Sequence, residues 1–455
     1  MLHIATYLSD TRMRNEYESL ISDEEHTVLN SKVQRPRSLL LDILAICFGI
    51  GSWIGITSVF LQMPLIVDKA PEGWALPSYL VVAVQMANIG PISYTLLQKF
   101  SPRWLKDAYM IDFVHLVGVI ASLLIGFLYE KTIVIGEQSY SLALYVLVFL
   151  LAIVGCTSSV LFMPYMGRFR EIYLTSYFIG EGLSGFLPSV VALIQGVGGA
   201  QCATNSTNGT QPDVPDSYPL FNTGQFFIFV FCMIFTSFIS FNLMHKLKRC
   251  KREYAAINII NGNQYVYEDK ETDKKLDDTQ SDIKVLSPSS YSLLMILMAG
   301  ICFFMNGILP SIQSYSCLPY GNLTYHLTAS LCAMANPVAC FLGIFVPHKS
   351  IRSILVLASC SVILSSYVMV TAILSPHPPM VGLVWGEVLV ITSWTLLYGF
   401  VSFTKLSIST LMRSQGGKSL VWTGAVSQAG SATGSVFIFV LINYTSTFTS
   451  YNPCQ

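Results

Sequence analysis

The sequence predicts an all-α, polytopic membrane protein with about eleven transmembrane helices in a six-plus-five arrangement. Three observations predict it. Hydrophobic residues fill 53% of the 455 positions and charged residues only 11%, with a mean hydropathy of +0.56, whereas a soluble chain carries roughly 25% charged residues. Apolar runs long enough to cross a hydrocarbon layer of about 30 Å recur along the whole chain. Lys and Arg are sorted to alternate connections between those runs.

The runs are 39–67, 78–98, 108–129, 139–163, 173–200, 222–244, 291–314, 323–346, 351–373, 382–410 and 419–443. The first, fifth and tenth are long and interrupted by Gly, so they are expected to tilt or break. With the N-terminus in the cytoplasm, 23 of the 26 Lys and Arg lie in inside segments. Only Lys69 and Lys131 fall outside, and Lys405 lies within a span. An odd number of spans then places the C-terminus outside. Residues 1–38 read as a cytoplasmic tail without the apolar core of a cleavable signal. The loop 201–221 falls outside and carries glycosylation sequons at Asn205 and Asn208. The sequons at Asn322 and Asn443 abut helix ends and read as chance matches.

Segment 245–290 divides the chain. It opens with KLKRCKRE and continues with DKETDKKLDDTQSD. Dense charge and low hydrophobicity predict a disordered cytoplasmic linker. It separates a six-helix bundle over 39–244 from a five-helix bundle over 291–443, with 444–455 as an extracellular tail. Two facing bundles joined by a linker suggest the layout of major-facilitator-type transporters, one helix short of twelve.

Several function classes lose support. Lys plus Arg and Asp plus Glu each number 26, so no basic field argues for nucleic acid as a partner. There is no phosphate-binding Gly-Lys loop, no H-E-x-x-H and no nucleophile elbow, so no enzyme site is expected. None of the 11 cysteines makes a Cys-x-x-Cys or Cys/His metal pattern, and no cofactor is expected. Cys202, Cys317 and Cys454 fall outside the membrane, which leaves one disulfide and one free thiol open without choosing the pair.

What remains are polar residues inside apolar runs, which lipid would not select. Glu181 lies in YFIGEGLSGFLPS; it reads either as a functional carboxylate or as a partner for a neighbouring helix. Amides recur in both halves: Gln62, Gln85 and Asn88 in the first, Asn306, Gln313, Asn336 and Gln428 in the second. Gln85 and Asn88 are three apart and share a helix face. A carboxamide donates and accepts, so it can read an imide-like ring edge or a hydroxylated chain without placing charge in the membrane. Trp53 and Tyr315, with Trp74, Tyr320, Trp394 and Trp422, offer faces for stacking on a flat ring. Any one amide is equally interhelical glue, and any one Trp or Tyr equally an interfacial belt residue. His115 reads as a satisfied core histidine. The class of function is then passage of a polar organic solute through a membrane.

Several stretches go further. They are GSWIGITSVFLQMPLIVDKAPEGWALPSYLVVAVQMANIGP (51–91), FMPYMGRF (162–169), YLTSYFIGEGLSGFLPSVVALIQGVG (173–198), NGILPSIQSYSCLPYGNLTYHLTASLCAMANPVACFLG (306–343), WGEVLVITSW (385–394) and QAGSATGS (428–435). Through them the chain resembles the eukaryotic riboflavin transporter family over nearly all of 38–445. The resemblance implies an eleven-helix plasma-membrane carrier that takes up riboflavin without sodium, in some members faster at acidic pH. Its fold would be like that of the equilibrative nucleoside transporters and related to the major-facilitator class. Riboflavin is neutral and flat, with an imide edge and a polyol tail, which suits amides and aromatics. Membrane lipid is the only other partner implied. One departure stands out: Gln62-Met63-Pro64 occupies the place where the family commonly reads Glu-Leu-Pro. Two alternatives stay open. One is a carrier for another planar solute such as a nucleoside. The other is a cell-surface receptor that does not transport, for which an outside loop of only 21 residues leaves little room.

Overall fold

A computed structural model describes residues 37–100, 107–196, 219–253, 257–260, 264–267, 286–345, 350–415 and 417–451. The N-terminal tail as far as residue 36, the sequons at Asn205 and Asn208, Cys202, Cys454 and most of the expected linker lie outside the described residues.

Helices α1 (Leu39–Ile50) and α2 (Ile54–Leu61) form the first span as a bent pair at 48°. The break falls at Gly51-Ser52-Trp53, where Ser52 Oγ turns back to donate to the Gly49 carbonyl at 2.7 Å. A short α3 (Met63–Val67) follows, with Pro64 in its first turn, where its missing N–H leaves no hydrogen bond unmade. A 3₁₀ turn (Gly73–Ala75) leads into α4 (Leu76–Met86) and α5 (Ile89–Phe100). Then come α6 (Asp107–Leu128), a hairpin β1 (Ile133–Ile135) and β2 (Gln138–Tyr140), α7 (Leu142–Met166), α8 (Glu171–Gln195) and α9 (Thr223–Lys246). Asn222 starts α9 with a reciprocal cap to Gln225.

Within the segment expected to be disordered, the described residues form α10 (Lys248–Lys251) and an antiparallel pair, β3 (Ile257–Ile260) with β4 (Gln264–Tyr267). The Ile, Val and Tyr of those two short runs suit a ladder, a local signal that the surrounding charge obscures. The second half holds α11 (Pro288–Cys302), a π-helical turn (Phe303–Ile308), α12 (Leu309–Cys317), α13 (Asn322–Phe345), α14 (Ile351–Ile373), α15 (Val384–Ser414) and α16 (Gly417–Tyr444).

Among the described residues nine helices are long and apolar enough to cross a membrane, or ten with the bent pair as one span. The count of eleven is therefore not reached by length and hydropathy. The expected span left out is 323–346, which the structure nevertheless builds as the 24-residue α13. Large apolar side chains such as Phe113, Ile120, Phe127, Val356 and Ile363 point outward, as a lipid-facing surface requires.

Leu41–Gln455 form one compact unit. Inside it, buried apolar residues gather by half. Leu41 to Cys250 supply two clusters, one of which also takes in Ala329 of α13, and Leu294 to Phe448 supply a third. Two crossings set the helix spacing. A Cβ on Gly180 of α8 would stand 2.1 Å from the Ile46 carbonyl oxygen of α1, and one on Gly49 would stand 2.3 Å from the Tyr177 oxygen. In the second half, a Cβ on Gly307 would meet Gly434 of α16 at 2.6–2.7 Å. Backbone touches backbone at both places, and only glycine permits it.

Candidate functional site

The α1–α8 crossing positions the first polar group. It sets Glu181 one residue beyond the Gly180 contact, beside the α1–α2 break that carries Trp53. There the Trp53 side chain faces the Glu181 carboxyl. The Trp53 ring lies against Gly155 of α7, 3.0–3.2 Å from where a Cβ would stand. The glycine makes room for the tryptophan beside the acid.

Helix α8 continues into contact with α13 of the other half. A Cβ on Gly182 would lie 3.1 Å from Pro337 Cβ, and one on Gly185 would lie 3.2 Å from the Ala333 oxygen. His326 Nε2 is 3.0 Å from the Ala192 oxygen. Along this antiparallel seam residue numbers rise on one helix as they fall on the other. Glu181 and Asn336 each lie one residue from the Gly182–Pro337 contact, on opposite sides of it. Asn336 itself is exposed on α13.

The amides divide. Asn88 Nδ2 donates to Gln85 Oε1 at 3.2 Å and to the Gln85 carbonyl at 3.1 Å, so the two share a face as their spacing requires. Both are half-buried, and Asn88 Oδ1 is buried without a hydrogen-bond partner. Asn306, on the π-helical turn, donates to Ser431 Oγ of α16 at 2.9 Å. Gln428 is exposed on the same helix, next to Ser427, whose Oγ is 3.0 Å from Cys302 Sγ. Gln313 Nε2 lies 3.8 Å from Cys332 Sγ.

Gln62 is elsewhere. It is 1% exposed, and its Nε2 donates to Gln195 Oε1 at 2.5 Å while Gln195 Nε2 donates to the Phe221 carbonyl at 2.8 Å. This chain of amides ties the α2–α3 joint to the end of α8. Tyr315 is used through its hydroxyl, which donates to the Trp74 carbonyl at 3.3 Å. Its ring centroid is 5.5 Å from that of Phe448.

The structure therefore brings together Trp53 and Glu181, with Asn336 near the same α8–α13 seam, then Gln85 with Asn88, and then Asn306 near Gln428. It does not bring Gln62 or Tyr315 into those groups. His115 is a core histidine, bonded to the Ile111 carbonyl at 2.9 Å and Ser237 Oγ at 3.1 Å. Cys317 is a buried free thiol.

Sequence reasoning missed three residues. Gln195 completes the Gln62 pair, and only its amide type hinted at that. His326 pins the seam. Glu72 accepts from Ser141 N, Ser141 Oγ and Tyr145 Oη at 2.6, 2.8 and 2.5 Å, anchoring the turn that carries Trp74. Among the described residues, no group of three His, Cys, Asp or Glu is placed to hold a metal.

Comparison with known proteins follows the same lines. The family profile "Solute carrier family 52, riboflavin transporter" matches residues 37–450. The chain is 38% identical over 447 residues to "Solute carrier family 52, riboflavin transporter, member 3-B" of Danio rerio. It is 36% identical over 455 residues to "Riboflavin transporter 2" of Salmo salar, and 33% over 464 residues to the human riboflavin transporter member 3. Each alignment covers 92% of this chain and 99% of the relative. Among solved structures, the D-xylose-proton symporter superposes with a TM-score of 0.55 at 12% identity, covering 89% of this chain and 90% of that one. A point mutant of the nucleoside transporter NupG gives 0.54 at 10% identity, covering 90% and 93%. Such low identities carry the fold, which is major-facilitator-like, and nothing about the solute. On the match along 37–450 and the full-length relatives, the chain belongs to solute carrier family 52, the riboflavin transporter family.

Proposed function

We propose that this protein carries riboflavin across the plasma membrane into the cell, without sodium, by alternating access. The carrying observation is the family match over 37–450, with relatives named as riboflavin transporters aligned end to end. In this reading 39–244 and 291–443 are the two bodies that rock. The N-terminus is cytoplasmic, the C-terminus is extracellular, and Asn205 and Asn208 are glycosylated outside. Membrane lipid surrounds the helices, and nucleic acid is not a partner.

The site we assign is the polar set between the halves. Glu181, beside Trp53, meets the imide edge or a hydroxyl of the polyol. Gln85 with Asn88 and Asn306 with Gln428 read the remaining polar edges, with Asn336 and Gln313 on the facing helices. Gln62 and Tyr315 act on the site by fixing the helices that bear it.

Cells expressing the chain should take up labelled riboflavin saturably, with unlabelled riboflavin competing and uridine not. Uptake equal to control cells contradicts the proposal. Binding without accumulation indicates a receptor, and competition by uridine a carrier of different specificity.

A further inference from the structure

Helix α9 leaves the apolar zone at Lys246, and the chain does not trail away. Leu247 is extended, with φ −69° and ψ 124°, and turns the backbone into the single turn of α10. Two anchors hold that turn. Cys250 is 2% exposed and belongs to the apolar cluster of the first half. Glu253 accepts from Arg170 Nη1 at 3.2 Å and from Tyr173 Oη at 3.0 Å.

With one side pinned, Lys246, Lys248, Arg249 and Lys251 are all exposed, and Leu247 is 36% exposed beside them. Three acids near this end are already engaged. Asp107 pairs with Arg168, Glu253 with Arg170, and Asp112 accepts from Asn242 Nδ2 at 2.9 Å. Four cations are thus held at the end of a membrane span, and among the described residues these acids are spent on other partners.

We propose that Lys246, Lys248, Arg249 and Lys251 form a fixed basic ledge that binds the phosphate-bearing headgroups of anionic lipids in the adjoining leaflet. Position and charge select this occupant. The ledge sits where a span ends, at headgroup depth. Juxtamembrane Lys and Arg are drawn to anionic lipid over about one Debye length. An exposed leucine among the cations suits the boundary between headgroups and acyl chains. In the proposed orientation the leaflet is the cytoplasmic one, where anionic lipids are concentrated. The ledge stands independently of which solute the protein carries.

The test uses the full-length protein in phosphatidylcholine bilayers, comparing spin-labelled phosphatidylserine with spin-labelled phosphatidylcholine in its lipid annulus. Phosphatidylserine should be preferred about fivefold at low salt, with the preference fading as salt rises. The combined variant Lys246→Gln, Lys248→Gln, Arg249→Gln, Lys251→Gln should lose most of it. The charge-keeping variant Lys246→Arg, Lys248→Arg, Arg249→Lys, Lys251→Arg should retain it. A glutamine variant with undiminished preference overturns the proposal, and so does preference for an acidic peptide over phosphatidylserine. If the glutamine variant fails to fold, the salt series on the unaltered protein decides: a preference indifferent to salt overturns the ledge.

Discussion

The two ends of the molecule are held in different ways. At the end carrying Trp74 and Tyr320, the halves are joined to each other. Tyr315 Oη donates to the Trp74 carbonyl at 3.3 Å, Asn443 Nδ2 to Ser78 Oγ at 3.0 Å, and His326 Nε2 lies 3.0 Å from the Ala192 oxygen. Trp74 and Tyr325 meet edge to face at 5.4 Å, as do Tyr79 and Phe439 at 5.0 Å. At the end carrying Arg168, the described ion pairs do not cross to the second half: Arg168 pairs with Asp107, and Arg170 with Glu253 at the start of the linker. The contrast teaches a division of labour. Ion pairs brace one body, while single neutral hydrogen bonds, each worth about 1 kcal/mol, hold the bodies together. A few such bonds bias a two-state equilibrium without fixing it, which suits the proposed alternating access.

The severest way to break the comparison is inside the braced body. Gly180→Leu drives a side chain into the Ile46 carbonyl, and overpacking against backbone should destabilise the fold by about 3 kcal/mol or more. Both surface abundance and thermal stability should collapse; a folded, active variant would show that α1 and α8 do not cross so closely.

Next is the joint between the bodies. The double variant Ser78→Cys with Asn443→Cys, oxidised, should lower riboflavin uptake by more than about tenfold by trapping one state, and reduction should restore it. Either single variant treated alike should keep uptake. Full uptake in the oxidised pair would mean this end need not open.

A smaller effect is expected at the site. Trp53→Phe keeps a ring against Gly155 but removes the indole N–H beside Glu181. Removing a polar neighbour of a buried carboxyl costs about 1–3 kcal/mol. Uptake should fall about tenfold at unchanged surface abundance, and parallel loss of both would make the pair structural.

The smallest effect is at Gln62. Gln62→Glu sets a carboxylate where Nε2 now donates to Gln195 Oε1. Gln195 must then turn its amide and release the Phe221 carbonyl. The change should cost about 1 kcal/mol, read as a modest drop in thermal stability at neutral pH with riboflavin uptake retained. Loss of uptake without loss of stability would instead place Gln62 at the solute.

What could be read from the sequence follows the range of the interactions. Spans such as 108–129 and 351–373 were legible because hydropathy and length are properties of one segment. The bend near Gly51 was legible because glycine announces it. The π-helical turn at Phe303–Ile308 was not, since one extra residue in a turn leaves no trace in composition. Nor was the Gln62–Gln195 pair, whose members are 133 residues apart. Each amide was visible as misplaced in lipid, but its partner depends on how α2 and α8 pack. Tyr315 was read as a ring to stack, and its bond from the hydroxyl to the Trp74 carbonyl depends on a residue 241 positions away. His326 passed unnoticed because its role needs the Ala192 carbonyl of the other half.

The central claim is that this chain alone moves riboflavin between two sides of a bilayer. Purified protein in liposomes preloaded with unlabelled riboflavin should draw in labelled riboflavin by exchange, with uridine-loaded liposomes failing to do so. Exchange no greater than in protein-free liposomes, or equal exchange against uridine, would contradict it.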